Sequence, residues 1–78
     1  MAKLELFGAA RCPYTAEMRE WLEFGRREFV EYDIEADDEA RARLRSIAPD
    51  VRTVPVLVED GNVLEVGFRG HGCMVEKQ

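Results

Sequence analysis

The segment 54–58, with the sequence Val-Pro-Val-Leu-Val, is apolar at every position. A strand with one solvated face alternates apolar and polar residues, whereas a strand that is apolar throughout is buried on both faces. The segment therefore predicts the central strand of a sheet. A chain of 78 residues has room for one hydrophobic core, so we expect a single domain over residues 1–78.

The pattern around this segment alternates strands with helices. Short apolar runs predict strands at residues 4–7, 29–34 and 62–66. A first helix is predicted to begin at Pro13, because proline lacks the N–H that is unpaired in the first helical turn. Gly25 is expected to end this helix in the left-handed conformation that glycine adopts freely.

A second helix is predicted after the acidic residues 37–39, whose charges complement the positive end of the helix dipole. Apolar residues at helical spacing form its buried stripe, namely Ala40, Leu44 and Ile47. Three basic residues are expected on its solvated face, namely Arg41, Arg43 and Arg45. The order is then β-α-β-α-β-β, an α/β fold whose first two strands are parallel through a right-handed crossover.

Two expectations concern the first helix and the end of the chain. Trp21 falls on the apolar face of the first helix, so we expect it in the core. The tail, residues 67–75, is rich in glycine. It is expected to hold at most a short helical turn after Gly72.

Charge and cysteine content limit the functions that the chain can serve. A formal charge of −5 disfavours nucleic acid and anionic membranes as partners, since both require a basic surface. No apolar run is long enough to cross a membrane, and the first residues lack the core of a signal peptide. We therefore expect a cytoplasmic protein. Two cysteines are too few for a secreted disulfide scaffold, which favours a reactive thiol or a metal ligand.

Cys12 lies at the predicted junction between the first strand and the first helix. A helix N-terminus lowers the pKa of a thiol, and a nearby cation has the same effect. Arg11 is the adjacent cation, and the hydroxyl or N–H of Thr15 is expected to reach the sulfur. The alternative is that Cys12 is a small buried hydrophobe, as free cysteines often are.

The residues that follow this thiol carry a family resemblance. The run Cys12-Pro13-Tyr14-Thr15 resembles the Cys-Pro-Tyr-Cys active site of glutaredoxins, with threonine in place of the second cysteine. The resemblance implies the thioredoxin-like fold of that family, with a C-terminal helix that is truncated or missing here. Within the family, the pattern is similar to that of a set of small glutaredoxin-like proteins, some of which carry selenocysteine as the nucleophile. Tyr14 fits either an exposed flank of the site or the core.

A second motif resembles the same family. The run Thr53-Val54-Pro55 is similar to the Thr-Val-Pro segment of glutaredoxins, in which the proline is cis and faces the active-site cysteine. The resemblance therefore implies a cis Pro55. Because proline removes a donor from the sheet, we expect the backbone before it to be free to bind an extended peptide or glutathione.

The tail differs from the family. Glutaredoxins have a Gly-Gly-acid segment that holds the amino end of glutathione, and this chain has Gly70-His71-Gly72-Cys73 instead. His71 is expected to be an exposed loop residue, or else a charge or proton partner of Cys12. Cys73 is the only other thiol. We expect its flexible tail to let it form a disulfide with Cys12; the alternative is that it is a passive tail residue.

Together these features predict a thiol-disulfide oxidoreductase whose activities include the deglutathionylation of proteins. Cys12 is the nucleophile, and either glutathione or Cys73 resolves its mixed disulfide. The partners expected are glutathione and protein disulfides, with no metal or resident cofactor, and the protein is expected to be a monomer. The alternatives are an iron–sulfur cluster carrier, which Pro13 disfavours because such relatives have Gly-Phe after the cysteine, and a non-catalytic adaptor.

Overall fold

Strands and helices alternate through residues 3–75, the part of the chain that the computed structural model describes. The elements are β1 (Leu4–Gly8), α1 (Pro13–Phe24), β2 (Phe29–Asp33), α2 (Asp38–Ile47), β3 (Thr53–Val54), β4 (Val56–Glu59), β5 (Asn62–Val66) and β6 (Cys73–Met74). The predicted α/β order is confirmed, with Pro55 dividing the third strand into β3 and β4. No helix in this range is both long and apolar enough to cross a membrane.

A four-stranded sheet has the order β2-β1-β4-β5. β1 and β2 are parallel, as the crossover through α1 requires, and β4 runs antiparallel to both of its neighbours. The first three residues of β4 are buried, and so are all five residues of β1. The prediction of a central apolar strand is therefore confirmed.

Each helix covers one face of this sheet. One hydrophobic cluster contains Leu6 and Leu57 of the strands together with Met18 and Leu22 of α1. The other contains Phe7, Val56 and Val58 of the strands together with the α2 residues Ala40 and Leu44. Neighbouring strand residues belong to opposite clusters because successive side chains alternate across a sheet.

The first helix differs from prediction at two positions. Trp21 is 47% exposed, because α1 turns Thr15, Met18 and Leu22 toward the sheet and leaves Trp21 at the edge of that stripe, near the ring of Phe68. Gly25 has a φ of −79°, so it is not the left-handed residue. That conformation is taken by the next residue, Arg26, at a φ of 57°.

The tail also differs from prediction. In place of a helical turn after Gly72, residues Cys73 and Met74 form β6, which pairs antiparallel with β3. The edge of β3 offers backbone groups that a two-residue strand can satisfy, and a short helical turn would leave them unpaired.

A buried ion pair connects the sheet to α2. Glu5 in β1 is fully buried, and both of its carboxylate oxygens accept hydrogen bonds from Arg43, at 2.7 and 2.8 Å. The hydroxyl of Tyr32 donates a third bond, at 3.1 Å. The hydrogen bonds from Arg43 hold the pKa of Glu5 below its ordinary value, although burial opposes them. The prediction that Arg43 is only a solvated surface residue is therefore wrong.

Replacing Arg43 should destabilise the fold by leaving a buried carboxylate without its cation. We expect Arg43→Ala to lower the free energy of unfolding by about 2–3 kcal/mol at neutral pH, less than for a fully buried pair because Arg43 is half-exposed. Urea unfolding measures this change. The control Arg45→Ala, at an exposed position of the same helix, should change stability by no more than about 0.5 kcal/mol.

The same pair predicts a pH dependence. Because the folded-state pKa of Glu5 is lowered, its stabilisation is complete above the ordinary pKa of a glutamate and is lost as the pH falls through the lowered value. In Arg43→Ala, protonation of Glu5 relieves the cost of burying its charge. The difference in stability between wild type and variant should therefore shrink in acid, and a constant difference would argue against this account.

Candidate active site

Cys12 occupies the N-cap of α1. β1 ends at Gly8, a turn closed by the bond from the Cys12 N–H to the Ala9 carbonyl oxygen (3.0 Å) reverses the chain, and the helix begins at Pro13. The start of α1 at Pro13 confirms the prediction. The position places the sulfur at the positive end of the helix dipole, where a thiolate is stabilised. Only 1% of Cys12 is exposed.

Thr15 supports the loop that carries Cys12. Its buried hydroxyl accepts a hydrogen bond from the Ala9 N–H at 3.3 Å, and its N–H donates to the Cys12 carbonyl oxygen at 3.2 Å. A Cβ atom at Gly8 would overlap the Thr15 side chain. Both of these bonds lie within the loop, and neither is made to the Cys12 sulfur, which the sequence predicts as their partner.

Cys12 and Cys73 are joined by a disulfide, with their Cα atoms 5.9 Å apart and a separation of 61 positions in sequence. The predicted bond is present. In the pairing of β6 with β3, Cys73 stands opposite Val54, whose carbonyl oxygen lies 3.8 Å from the Cys12 sulfur. Cys73 remains partly exposed. The two sulfurs therefore meet at the edge of β3.

The peptide bond between Val54 and Pro55 is cis, which confirms the expectation from the resemblance. The backbone before this proline is not free, however. Thr53 pairs with Met74, and the Thr53 hydroxyl lies 3.7 Å from the Met74 sulfur. The expected binding edge is therefore filled by the protein's own tail, because β6 is long enough to reach it.

The tail is fixed by contacts besides the disulfide. The Gly67 N–H donates to the Pro55 carbonyl oxygen at 2.6 Å, and Phe68 and His71 exchange two backbone hydrogen bonds across a tight turn. Beyond β6, the Val75 N–H donates to the Arg52 carbonyl oxygen at 2.8 Å, and the side chain of Val75 is buried. The glycines thus shape a defined turn that brings Cys73 to Cys12, as the predicted disulfide requires.

Arg11 holds the tail rather than standing alone beside the sulfur. Its Nε atom donates to both carboxylate oxygens of Glu35, at 3.0 and 3.1 Å, and its terminal amino group donates to the Met74 carbonyl oxygen at 2.9 Å. Arg11 therefore links the loop before α1 to the residue that follows Cys73. The sequence carried no signal for this contact, since spacing does not give the direction of a long side chain.

Tyr14 and His71 lie on the outer side of the site. Their rings stack with centroids 5.3 Å apart. Tyr14 is partly buried and packs against both hydrophobic clusters, so it combines the two roles that the sequence left open. His71 is exposed and lies against this ring. Within residues 3–75, no three His, Cys, Asp or Glu side chains are grouped so that they could hold a metal ion.

Comparison with known proteins agrees with this geometry. Residues 4–64 match the family model of Glutaredoxin. Two crystal structures of the thioredoxin-like protein BC3987, one of them a point mutant, are 30% and 32% identical to the chain, with TM-scores of 0.74 and 0.75. These alignments cover 85% and 88% of this chain and 88% and 86% of those chains.

A third structure, glutaredoxin grx-1 from Archaeoglobus fulgidus, is 23% identical with a TM-score of 0.70, over 88% of this chain and 78% of the other. At that identity it supports the thioredoxin-like fold alone. No curated protein matches the chain closely enough to count as a relative. The family match covers most of the sequence, including the Cys12 loop and the cis-proline segment. The chain belongs to the glutaredoxin family.

Proposed function

We propose that this protein is a thiol-disulfide oxidoreductase in which Cys12 attacks the substrate and Cys73 resolves the resulting mixed disulfide. The family and the fold support a function of this type. The observation that carries the specific proposal is the disulfide between the N-cap cysteine of α1 and Cys73 of β6. It joins a thiol in an activating position to the thiol that can displace its substrate.

The proposed reaction has two exchange steps. The Cys12 thiolate attacks one sulfur of a disulfide R–S–S–R′, forms the bond Cys12–S–S–R and releases R′S⁻. The Cys73 thiolate then attacks the Cys12 sulfur, forms the internal disulfide and releases RS⁻. The protein loses two electrons and the substrate disulfide gains them. The protons lost by the two cysteines pass to solvent and to the released thiolates.

The hydrogen bonds that keep β6 in place support Cys73 as the resolving thiol. Backbone bonds from Gly67 and Val75 fix the tail on both sides of β6, and Arg11 holds the Met74 carbonyl oxygen. None of these bonds involves a sulfur atom, so we expect them to keep Cys73 near Cys12 in the dithiol form as well. A thiol held in place reacts as if at very high concentration, and it therefore outcompetes free glutathione for the mixed disulfide.

The substrates we propose are protein disulfides and glutathionylated proteins. With the latter, Cys12 takes the glutathionyl group, the protein thiol leaves, and Cys73 then releases glutathione. The reducing cytoplasm, where we place the protein, would return the active site to the dithiol with glutathione as co-substrate. We propose that the protein acts as a monomer without a resident cofactor. Cluster carriage fits less well, because Pro13 stiffens the start of α1 directly after Cys12.

Removing the second thiol should trap the reaction after its first step. We expect Cys73→Ser treated with oxidised glutathione to accumulate one glutathione on Cys12, whereas wild type should end with the internal disulfide and no adduct. Intact-mass and peptide mass spectrometry measure both products. Wild type that keeps glutathione on Cys12 with Cys73 free would overturn the resolving role of Cys73.

Gly72 offers a test of the position of β6. A Cβ atom at this residue would lie 2.6 Å from the Val54 carbonyl oxygen and would also meet the Thr53 side chain, so alanine must push β6 away from β3. We expect Gly72→Ala to slow resolution by about tenfold or more, since a displaced thiol loses its effective concentration. Rapid acid quench of the glutathione adduct gives the rate.

The matched control is Gly25→Ala. Gly25 has a negative φ, and a Cβ atom there would make only ordinary contacts of 3.6 Å or more. This variant should resolve the adduct at the wild-type rate. Equal rates in Gly72→Ala and Gly25→Ala would show that the approach of β6 does not limit the second step.

A further inference from the structure

We infer that Glu35 is a positioning residue for the resolving thiol. It orients the Arg11 guanidinium, and this group in turn holds the strand that carries Cys73. The inference rests on the proposed function, because it concerns the second exchange step and the stability of the internal disulfide. It extends the functional site to the segment that follows β2.

The Arg11 guanidinium connects three segments of the chain. Arg11 lies in the loop before α1, Glu35 follows β2, and Met74 is the second residue of β6. The Arg11 Nε atom donates to both carboxylate oxygens of Glu35, at 3.0 and 3.1 Å, and a terminal amino group donates to the Met74 carbonyl oxygen at 2.9 Å. A guanidinium is planar and rigid, so fixing Nε also fixes the direction of the terminal donors. Glu35 therefore determines where Arg11 holds β6.

Glu35 is itself placed by the end of the larger sheet. Its N–H donates to a carboxylate oxygen of Asp33 at 2.9 Å, which forms a turn of the kind that aspartate favours. Asp33 is the last residue of β2 and is paired with Gly8 of β1. The N–H of Ile34 then donates to the Gly8 carbonyl oxygen at 2.9 Å. The anchor of Arg11 is thus attached to the sheet and not to the tail that Arg11 holds.

The consequence is specific to one step of the proposed reaction. Met74 follows Cys73 in a strand of two residues, so a shift of the Met74 carbonyl group moves Cys73 as well. Attack of Cys12 on the substrate does not use Cys73, whereas resolution does. A thiol held in place has a high effective concentration. Loss of the Glu35 charge should therefore slow the second step and weaken the internal disulfide, while the first step keeps its rate.

The expected effect is modest because the ion pair is partly exposed. The side chains of Arg11 and Glu35 are 54% and 36% exposed. Pairs in contact with solvent contribute little, and salt screens them. We therefore expect a change of about threefold in the equilibrium constant of the internal disulfide. We also expect this change to depend on ionic strength.

Equilibration with glutathione tests the inference. Wild type and Glu35→Gln are incubated in buffers of reduced and oxidised glutathione at low and at high sodium chloride, then quenched in acid and alkylated. Intact mass gives the fraction that holds the internal disulfide. At low salt we expect the equilibrium constant of Glu35→Gln to be about threefold below that of wild type, and at high salt the two should converge. Equal constants at low salt would overturn the inference.

The matched control is Glu31→Gln. Glu31 of β2 accepts a hydrogen bond from the Arg19 Nε atom at 2.8 Å, in an ion pair that is also partly exposed but joins β2 to α1. This variant should keep the wild-type constant at both salt concentrations. A loss equal to that in Glu35→Gln would assign the effect to net charge and not to the position of Glu35.

A double variant tests whether Glu35 acts through Arg11. Arg11→Gln should weaken the disulfide at least as much as Glu35→Gln, because it removes the bond to the Met74 carbonyl oxygen directly. Adding Glu35→Gln to Arg11→Gln should then change nothing more. A second threefold loss in the double variant would contradict a route through Arg11.

The first step is measured separately in the Cys73→Ser background. There, Glu35→Gln should leave unchanged the rate at which Cys12 takes up glutathione from oxidised glutathione. A faster rate would show that Glu35 withholds Arg11 from the Cys12 thiolate, which would replace the positioning role. Wild type that forms no internal disulfide would contradict the proposed function itself. A disulfide that forms equally well in wild type and Glu35→Gln would contradict only the inference.

Discussion

The pairing of β6 with β3 is the interaction on which the arrangement of the site depends. Two residue pairs, Thr53 with Met74 and Val54 with Cys73, bring a thiol from the end of the chain to the first turn of α1. The edge of β3 is available because Pro55 separates it from β4. The position of the second sulfur is thus fixed by the backbone pairing of β6 together with the side-chain contacts of Arg11 and Val75.

The larger sheet provides the rigid base for this edge. β1 is paired on both sides and covered by a helix on each face, so the loop that follows it begins from a fixed point. Thr15 then bonds back to Ala9 and keeps that loop short. As a result, the position of Cys12 is fixed both by its packing in the hydrophobic cluster on the sheet and by its place at the N-cap of α1.

Much of the fold could be predicted from sequence, because apolar periodicity and turn residues report local structure directly. The apolar run around Pro55 and the helix start at Pro13 are of this kind. Glu5 was not recognised, because a charged residue between leucines fits a solvated strand face equally well. Its burial depends on Arg43, 38 residues away, which neutralises the charge. The positions of Trp21 and Arg11 likewise depend on tertiary packing, which periodicity does not contain.

The span of the disulfide has a consequence for the whole chain. Because its ends are 61 positions apart in sequence, the bond closes residues 12–73 into one covalent loop, with β1 outside it. In the chain-entropy description, the cross-link lowers the conformational entropy of the unfolded chain, which stabilises the folded state by about 4 kcal/mol relative to the reduced protein. Each reduction therefore removes a topological constraint as well as a bond. The catalytic cycle, as proposed, alternates between a cross-linked chain that resists unfolding and an open chain that resists it less.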